Sequence, residues 1–102
     1  MKIDIETTPW FDEWFERLRN PIARIAILRR IRTARHGHWG DIRCLDHAVI
    51  ELRIHTGPGY RIYLTRKGER LYLLIGGGDK SSQKRDIEKA TEIALALKDQ
   101  NR

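Results

Sequence analysis

A single cysteine, Cys44, stands in the 102 residues. It excludes an internal disulfide framework and fits a reducing compartment. No apolar run approaches the ~20 residues of a membrane-crossing helix. The opening MKIDIETTP is too polar and too acidic for a secretory signal. A cytoplasmic protein that makes no membrane contact is therefore expected. There is no Pro/Gly/Ser-rich linker, internal repeat or low-complexity stretch, so residues 1–102 are expected to form one domain. A chain of this size buries roughly 60–70% of its unfolded surface, enough for a core without staples.

Several chemistries lack their signatures. GxxxxGK[ST] is absent, which speaks against a nucleotide-hydrolysing loop. No serine or cysteine nucleophile pattern appears. His36, His38, Asp41 and His47 match no zinc-ligand spacing and read as a solvated turn. No metal or cofactor is expected. Negative charge is also missing from one long segment. Between Glu16 and Asp41 there is no acidic residue, while Arg17, Arg19, Arg24, Arg29, Arg30, Arg32 and Arg35 all fall there. Uncompensated like charges repel one another along a helix. The tract is either a solvated face or a surface for an anionic partner. The formal net charge of +6 points the same way, toward nucleic acid, ribosome, anionic lipid or an acidic protein.

What is present divides into helical and extended periods. Residues 2–6 alternate polar and apolar, as a short strand does. Pro9 behind Thr7 and Thr8 marks a helix start. Trp10, Phe11, Trp14, Phe15 and Leu18 follow as an apolar stripe at helical spacing. Asn20-Pro21 starts a second helix, closed by His36-Gly37. Its Ile22, Ile25 and Ala26 form one apolar line, and Ile27, Ile31 and Ala34 another. The two lines predict a helix packed on both the first helix and a sheet.

From Asp41 the period becomes two. Residues 41–45, 49–54, 60–66 and 70–76 read as a four-stranded antiparallel meander, with Lys67-Gly68 as a two-residue hairpin loop. That loop sets Ile62 opposite Leu73, Leu64 opposite Leu71 and Tyr63 opposite Tyr72. Gly76-Gly77-Gly78 should then break the last strand. A final helix over residues 82–98 should bury Ile87, Ala90, Ile93, Ala94 and Leu97. The fold class is α+β.

In TGPGYRIY, Tyr60, Ile62 and Leu64 alternate with Arg61, Tyr63 and Thr65, so the two sets occupy opposite faces. Leu52 and Ile54 share the core face; Glu51, Arg53 and His55 share the side of Arg61 and Tyr63. The second face is expected to be a solvent-facing sheet surface holding Arg53, Arg61, Tyr63 and Tyr72. Lys80, Gln83, Lys84 and Arg85 should border it. Arginine grips phosphate oxygens bidentately and aromatic rings stack on bases. A one-sided antiparallel sheet also solvates its outer face with such residues.

ELRIHTGPGYRIY, then LYLLIGGGDKSSQKRDIEKA, behind a helical hairpin ending in HGHWGDIR, resembles the RelE/ParE superfamily of type II toxin–antitoxin toxins. Within it the resemblance is to the HigB-like, phage-derived addiction module killer branch. It covers nearly the whole chain. The resemblance implies a RelE-like fold of paired N-terminal helices beside an antiparallel sheet, with a C-terminal helix. It implies a ribosome-dependent mRNA endoribonuclease that drives the 2′-hydroxyl onto the adjacent phosphate, or a ParE-like gyrase inhibitor. A cognate antitoxin with a helix-turn-helix domain would neutralise it. Arg61 would hold the scissile phosphate, Arg53 would assist, and Lys80 would stand near the leaving group. A tyrosine after Lys80 is missing, which leaves Tyr63 or Tyr72 to take part from the sheet. With Arg53 and Arg61 beside it, Tyr63 is expected to have a lowered pKa. Arg29, Arg30, Arg32, Arg35, Tyr72, Lys84 and Arg85 are the expected RNA contacts, with a basic RNA-binding module as the non-catalytic alternative.

Overall fold

A computed structural model describes residues 3–100. Strand β1 (Asp4–Thr7) leads into α1 (Pro9–Arg17) and α2 (Pro21–Arg35). Strands β2 (Ile42–Cys44), β3 (Val49–Ile54), β4 (Tyr60–Lys67) and β5 (Leu71–Asp79) follow, and α3 (Gln83–Gln100) closes the chain. Lys2, placed in the first strand by its alternation, lies outside the described residues. Thr8 caps α1 by accepting from the Phe11 amide at 3.2 Å, and its hydroxyl donates to the Ile75 carbonyl. Asn20 caps α2 through the Ile22 and Ala23 amides. Gly37 takes the left-handed closing position with φ 86°, which glycine adopts without a Cβ penalty.

The sheet order is β1-β5-β4-β3-β2. Neighbours from β2 to β5 run antiparallel, but β1 joins β5 in parallel. The result is a five-stranded mixed sheet rather than a four-stranded antiparallel one. The two-residue loop at Lys67-Gly68 does not form. Lys67 pairs with Leu71, so residues 68–70 make the turn, and a bulge follows between Tyr63 and Leu64. Leu64 meets Leu74 and Ile62 meets Gly77. Relative to the two-residue loop, Leu64's partner moves from Leu71 to Leu74. That shift of three is odd, so it exchanges the faces of β5. Tyr72 therefore packs with the α1/α2 layer, its ring centroid 4.7 Å from that of Trp39, away from Tyr63.

The three glycines do not break β5; they are buried within it. A Cβ at Gly76 would stand 2.2 Å from Trp10 and one at Gly77 2.4 Å from Trp14. At Gly78 it would stand 1.9 Å from the Asp86 carboxylate. Glycine here lets α1 and the start of α3 close on the strand.

Helices cover both faces. Ile27, Leu52, Ile62, Leu64 and Leu74 fill the α1/α2 side. Val49, Tyr63, Leu73, Ile75, Ala90 and Ala94 fill the α3 side, with Ile87, Ile93 and Leu97 packed against them as the α3 stripe predicts. The face expected to meet solvent is thus mostly roofed by α3. On α2 the line of Ile27, Ile31 and Ala34 packs inward, but Ile22 and Ile25 are 69% and 56% exposed. Packing toward α1 stops at Ala23 and Ala26, and the hairpin never wraps around the outer side of α2.

Candidate functional site

The alternation along β3 and β4 sets Glu51 opposite Tyr63 and Arg53 opposite Arg61 on the α3 side. The apolar part of that interface ends there, and the first turn of α3 seals it with polar groups. Gln83 Nε2 donates to Glu51 Oε2 at 3.0 Å. Asp86 is buried and accepts from the Ser82 hydroxyl at 2.5 Å, behind Gly78, which is Arg61's partner across the strands. Asp79 caps the short turn of Lys80–Ser82 by accepting from the Ser81 amide. The Ser81 hydroxyl also donates to this carboxyl, and that bond first, with the backbone amides after it, holds the carboxyl below the usual aspartate value.

Arg61 is not a bare cation. Its side chain is 12% exposed, and its Nε lies 3.8 Å from Oε2 of Glu51, whose side chain is wholly buried. One Nη donates to the Gly59 carbonyl at 2.9 Å. Arg53 turns to the sheet edge, where its Nη2 meets Asp41 Oδ1 at 3.1 Å. His55 Nε2 contacts the other oxygen of Asp41 at 2.5 Å. The His55 hydrogen bond, followed by that of Arg53, holds the Asp41 carboxyl below its ordinary value.

Tyr63 is fully buried. Burial first, and then the Glu51 and Asp86 carboxylates, push its pKa far above the ordinary tyrosine range, against the opposing pull of Arg61. The expectation that neighbouring arginines would lower it is therefore reversed, because the two carboxylates and desolvation outweigh one guanidinium. At neutral pH this hydroxyl carries its proton and acts only as a donor or acceptor, never as a base.

Four buried side-chain atoms among the described residues have no hydrogen-bond partner: Glu51 Oε1, Arg53 Nε, Arg61 Nε and Tyr63 Oη. All four belong to this one patch. An orphaned buried polar atom costs about 1–3 kcal/mol, so four together mark a region where stability was not the criterion.

The remaining expected residues divide. Lys80, Lys84 and Arg85 are exposed around the start of α3, where the helix dipole is positive and cations are unfavourable unless an anion arrives. Arg29, Arg32 and Arg35 are exposed along α2. Arg30 is not free: it donates to the carbonyls of Arg53 and Trp39 at 2.6 Å and of Asp41 at 3.4 Å. It pins α2 to the sheet edge instead of presenting a charge to RNA. Tyr72 lies on the opposite face from Arg61. His36, His38 and His47 are exposed, and no group of three or more His, Cys, Asp or Glu side chains is placed to hold a metal among the described residues. Sequence reasoning placed Glu51 on the correct face but gave it no role, and missed Asp86. The signal for Glu51 was a lone carboxylate in a strand of alternating apolar residues. Asp86 became visible only once α3 was seated against Gly78.

The molecule is thus a basic α+β domain, with a mixed sheet between two helical layers and a buried Glu–Tyr–Arg cluster at the N-terminal end of its last helix. An uncharacterized protein of Haemophilus influenzae is 42% identical over 97 residues, spanning 95% of this chain and 98% of that one. The chain belongs to the family of that protein. No family model matches it. No helix among the described residues is long and apolar enough to cross a membrane.

Proposed function

We propose that this protein is a RelE/ParE-type toxin of a type II toxin–antitoxin system that cleaves mRNA on the ribosome. The observation that carries the reading is the concentration of all four orphaned buried polar atoms in the Glu51–Arg53–Arg61–Tyr63 cluster. Arg53 and Arg61 stand opposite each other across a strand pair, and guanidiniums suit the oxygens of a phosphodiester. Exposed Lys80, Lys84 and Arg85 at a helix N-terminus add positive potential at its mouth.

In this reading Arg61 and Arg53 hold the scissile phosphate and offset the charge that builds on its oxygens. The 2′-oxygen attacks phosphorus, and its proton passes to the Glu51 carboxylate. The bond from phosphorus to the 5′-oxygen breaks, and the departing oxygen takes a proton from the Lys80 ammonium. The products are a 2′,3′-cyclic phosphate and a 5′-hydroxyl. Tyr63 donates a hydrogen bond without losing its proton. Glu51 lies beneath Gln83, so the Gln83 side chain must swing aside before RNA reaches it. A requirement for the ribosome fits that step, since the partner sets the geometry of the message.

A ParE-like block of gyrase on the same fold is the second reading. It is favoured by the burial of Glu51 and its contact with Arg61 at 3.8 Å, which partly offsets the charge of that arginine. Purified protein with translating ribosomes and primer extension separates the two. Wild type is expected to give new 5′ ends, and Arg61→Ala and Glu51→Gln to lose them by about a hundredfold or more, the scale of a lost positioned charge or base. If no new ends form with or without ribosomes, RNA cleavage is rejected; trapped gyrase–DNA complexes would then establish the second reading. An antitoxin with a helix-turn-helix domain is the expected neutralising partner.

A further inference from the structure

The outer side of α2 carries a row of aliphatic side chains that nothing in the fold covers. Ile22, Ile25 and Leu28 are 69%, 56% and 53% exposed, and their spacing of three places them along one stripe of the helix. Arginines border the row. Arg29 and Arg32 are exposed and make no ion pair among the described residues. A groove of about 280 Å³ is lined by Ile25, Leu28, Arg29 and Arg32. A second, of about 430 Å³, continues from Leu28 and Arg32 to Arg35. The two share Leu28 and Arg32 and so form one surface from Ile25 to Arg35, about 15 Å along α2 at the helical rise.

The geometry points to a docking site for an acidic amphipathic helix of a partner protein, its aliphatic face on Ile22, Ile25 and Leu28 and its carboxylates on Arg29, Arg32 and Arg35. Contiguous exposed apolar surface rimmed by charge marks an interaction site. The sign of the rim selects the partner, because no acidic residue stands between Glu16 and Asp41. A second copy of this chain fits poorly, since its own α2 carries no carboxylate to meet Arg29, Arg32 and Arg35. The arginines alone would suit RNA phosphates as well as carboxylates, but the aliphatic row gives a nucleic acid nothing to pair with, whereas it matches the apolar face of a helix. A membrane-surface helix uses a broader apolar face with aromatic anchors, and the exposed row has no Trp or Phe. The inference does not rest on the cleavage reading: the surface lies on the α2 layer, across the sheet from Arg61.

Titration of the isotope-labelled full chain with a designed helical peptide of about 15 residues, enough to match α2, tests it. The peptide carries leucines on one face and glutamates on both flanks. Saturable shifts are expected at Ile22, Ile25, Leu28, Arg29 and Arg32, with the same peptide bearing lysine flanks at least tenfold weaker. Both Ile25 and Leu28 are exposed, so Ile25→Ser with Leu28→Ser keeps the fold and should weaken binding at least tenfold. Arg29→Glu with Arg32→Glu should invert the preference toward lysine flanks. The proposal is overturned by absent saturation, by shifts centred on Arg53 and Arg61, or by equal affinity for both flanks. An RNA oligonucleotide or phosphatidylglycerol vesicles perturbing this row while the acidic peptide does not would also overturn it and assign the surface to that ligand.

Discussion

Leu52 and Glu51 are consecutive in β3, 2% and 0% exposed, yet they meet different surroundings. Leu52 enters the α1/α2 layer among Ile27, Ile62 and Leu64, where close apolar packing offsets the entropy of ordering. Glu51 enters the α3 layer beside Tyr63, Arg61 and Gln83, with one oxygen bonded and the other not. One face of the sheet is built for stability. The other is apolar only from Val49 to Ile75 and then yields to a polar cluster that costs stability. Two layers of one small domain thus differ in kind, one closing on itself and the other holding unsatisfied polar groups.

The widest gap between the faces should appear on truncation. Leu52→Ala should destabilise by about 3 kcal/mol, the usual cost of an emptied leucine site in a packed core, read as a lower urea midpoint with unchanged slope. A loss under about 1 kcal/mol would mean the α1/α2 layer is no better packed than the α3 side. Gly78→Ala should follow at about 2–3 kcal/mol, because the added methyl must displace the buried Asp86 carboxylate from β5. Gly37→Ala, a control with nothing within 4 Å of the added carbon but φ +86°, should cost only about 1 kcal/mol of backbone strain.

Tyr63→Phe sharpens the contrast further. It removes a buried hydroxyl that has no partner, so stability should rise by about 1 kcal/mol or more, the cost of leaving such a group unpaired. In a spectrophotometric titration the same variant should lose the component that ionises well above the ordinary tyrosine range. If wild type shows no such component, Tyr63 is not buried beneath α3. The smallest effect belongs to the exposed rim. The folded pKa of Asp41 is depressed, so its contribution is complete above the ordinary value of 3.8 and is lost as pH falls through the lower folded value. The difference in Tm between wild type and Asp41→Asn should therefore be small at neutral pH and vanish in acid. A difference that grows below pH ~4 would contradict that linkage.

Much of this was legible in residues alone. Thr8, Asn20 and Gly37 announce the ends of α1 and α2 through local hydrogen bonds and backbone freedom, which need no distant partner. Alternation in β3 and β4 correctly sorted Leu52, Ile54, Ile62 and Leu64 from Glu51, Arg53, Arg61 and Tyr63. The β4–β5 register was not legible, because the three-residue turn decides which face Tyr72 joins and the bulge at Tyr63/Leu64 then resets the pairing beyond it. Nor was the role of Gly76, Gly77 and Gly78, whose missing side chains matter only because Trp10, Trp14 and Asp86 arrive from elsewhere in the chain.

By itself, then, the sequence determined the elements, their caps, the basic tract of α2 and the partition of strand residues into two faces, since each is set within a few residues by sterics and periodicity. Only the tertiary structure decided what covers each face. Seating α3 on the sheet buried Tyr63 and Glu51 and brought them to Arg61. Leaving the outer side of α2 without a neighbour exposed Ile22, Ile25 and Leu28. A side chain's face is fixed by its own backbone, but its burial and charge environment depend on segments dozens of residues away.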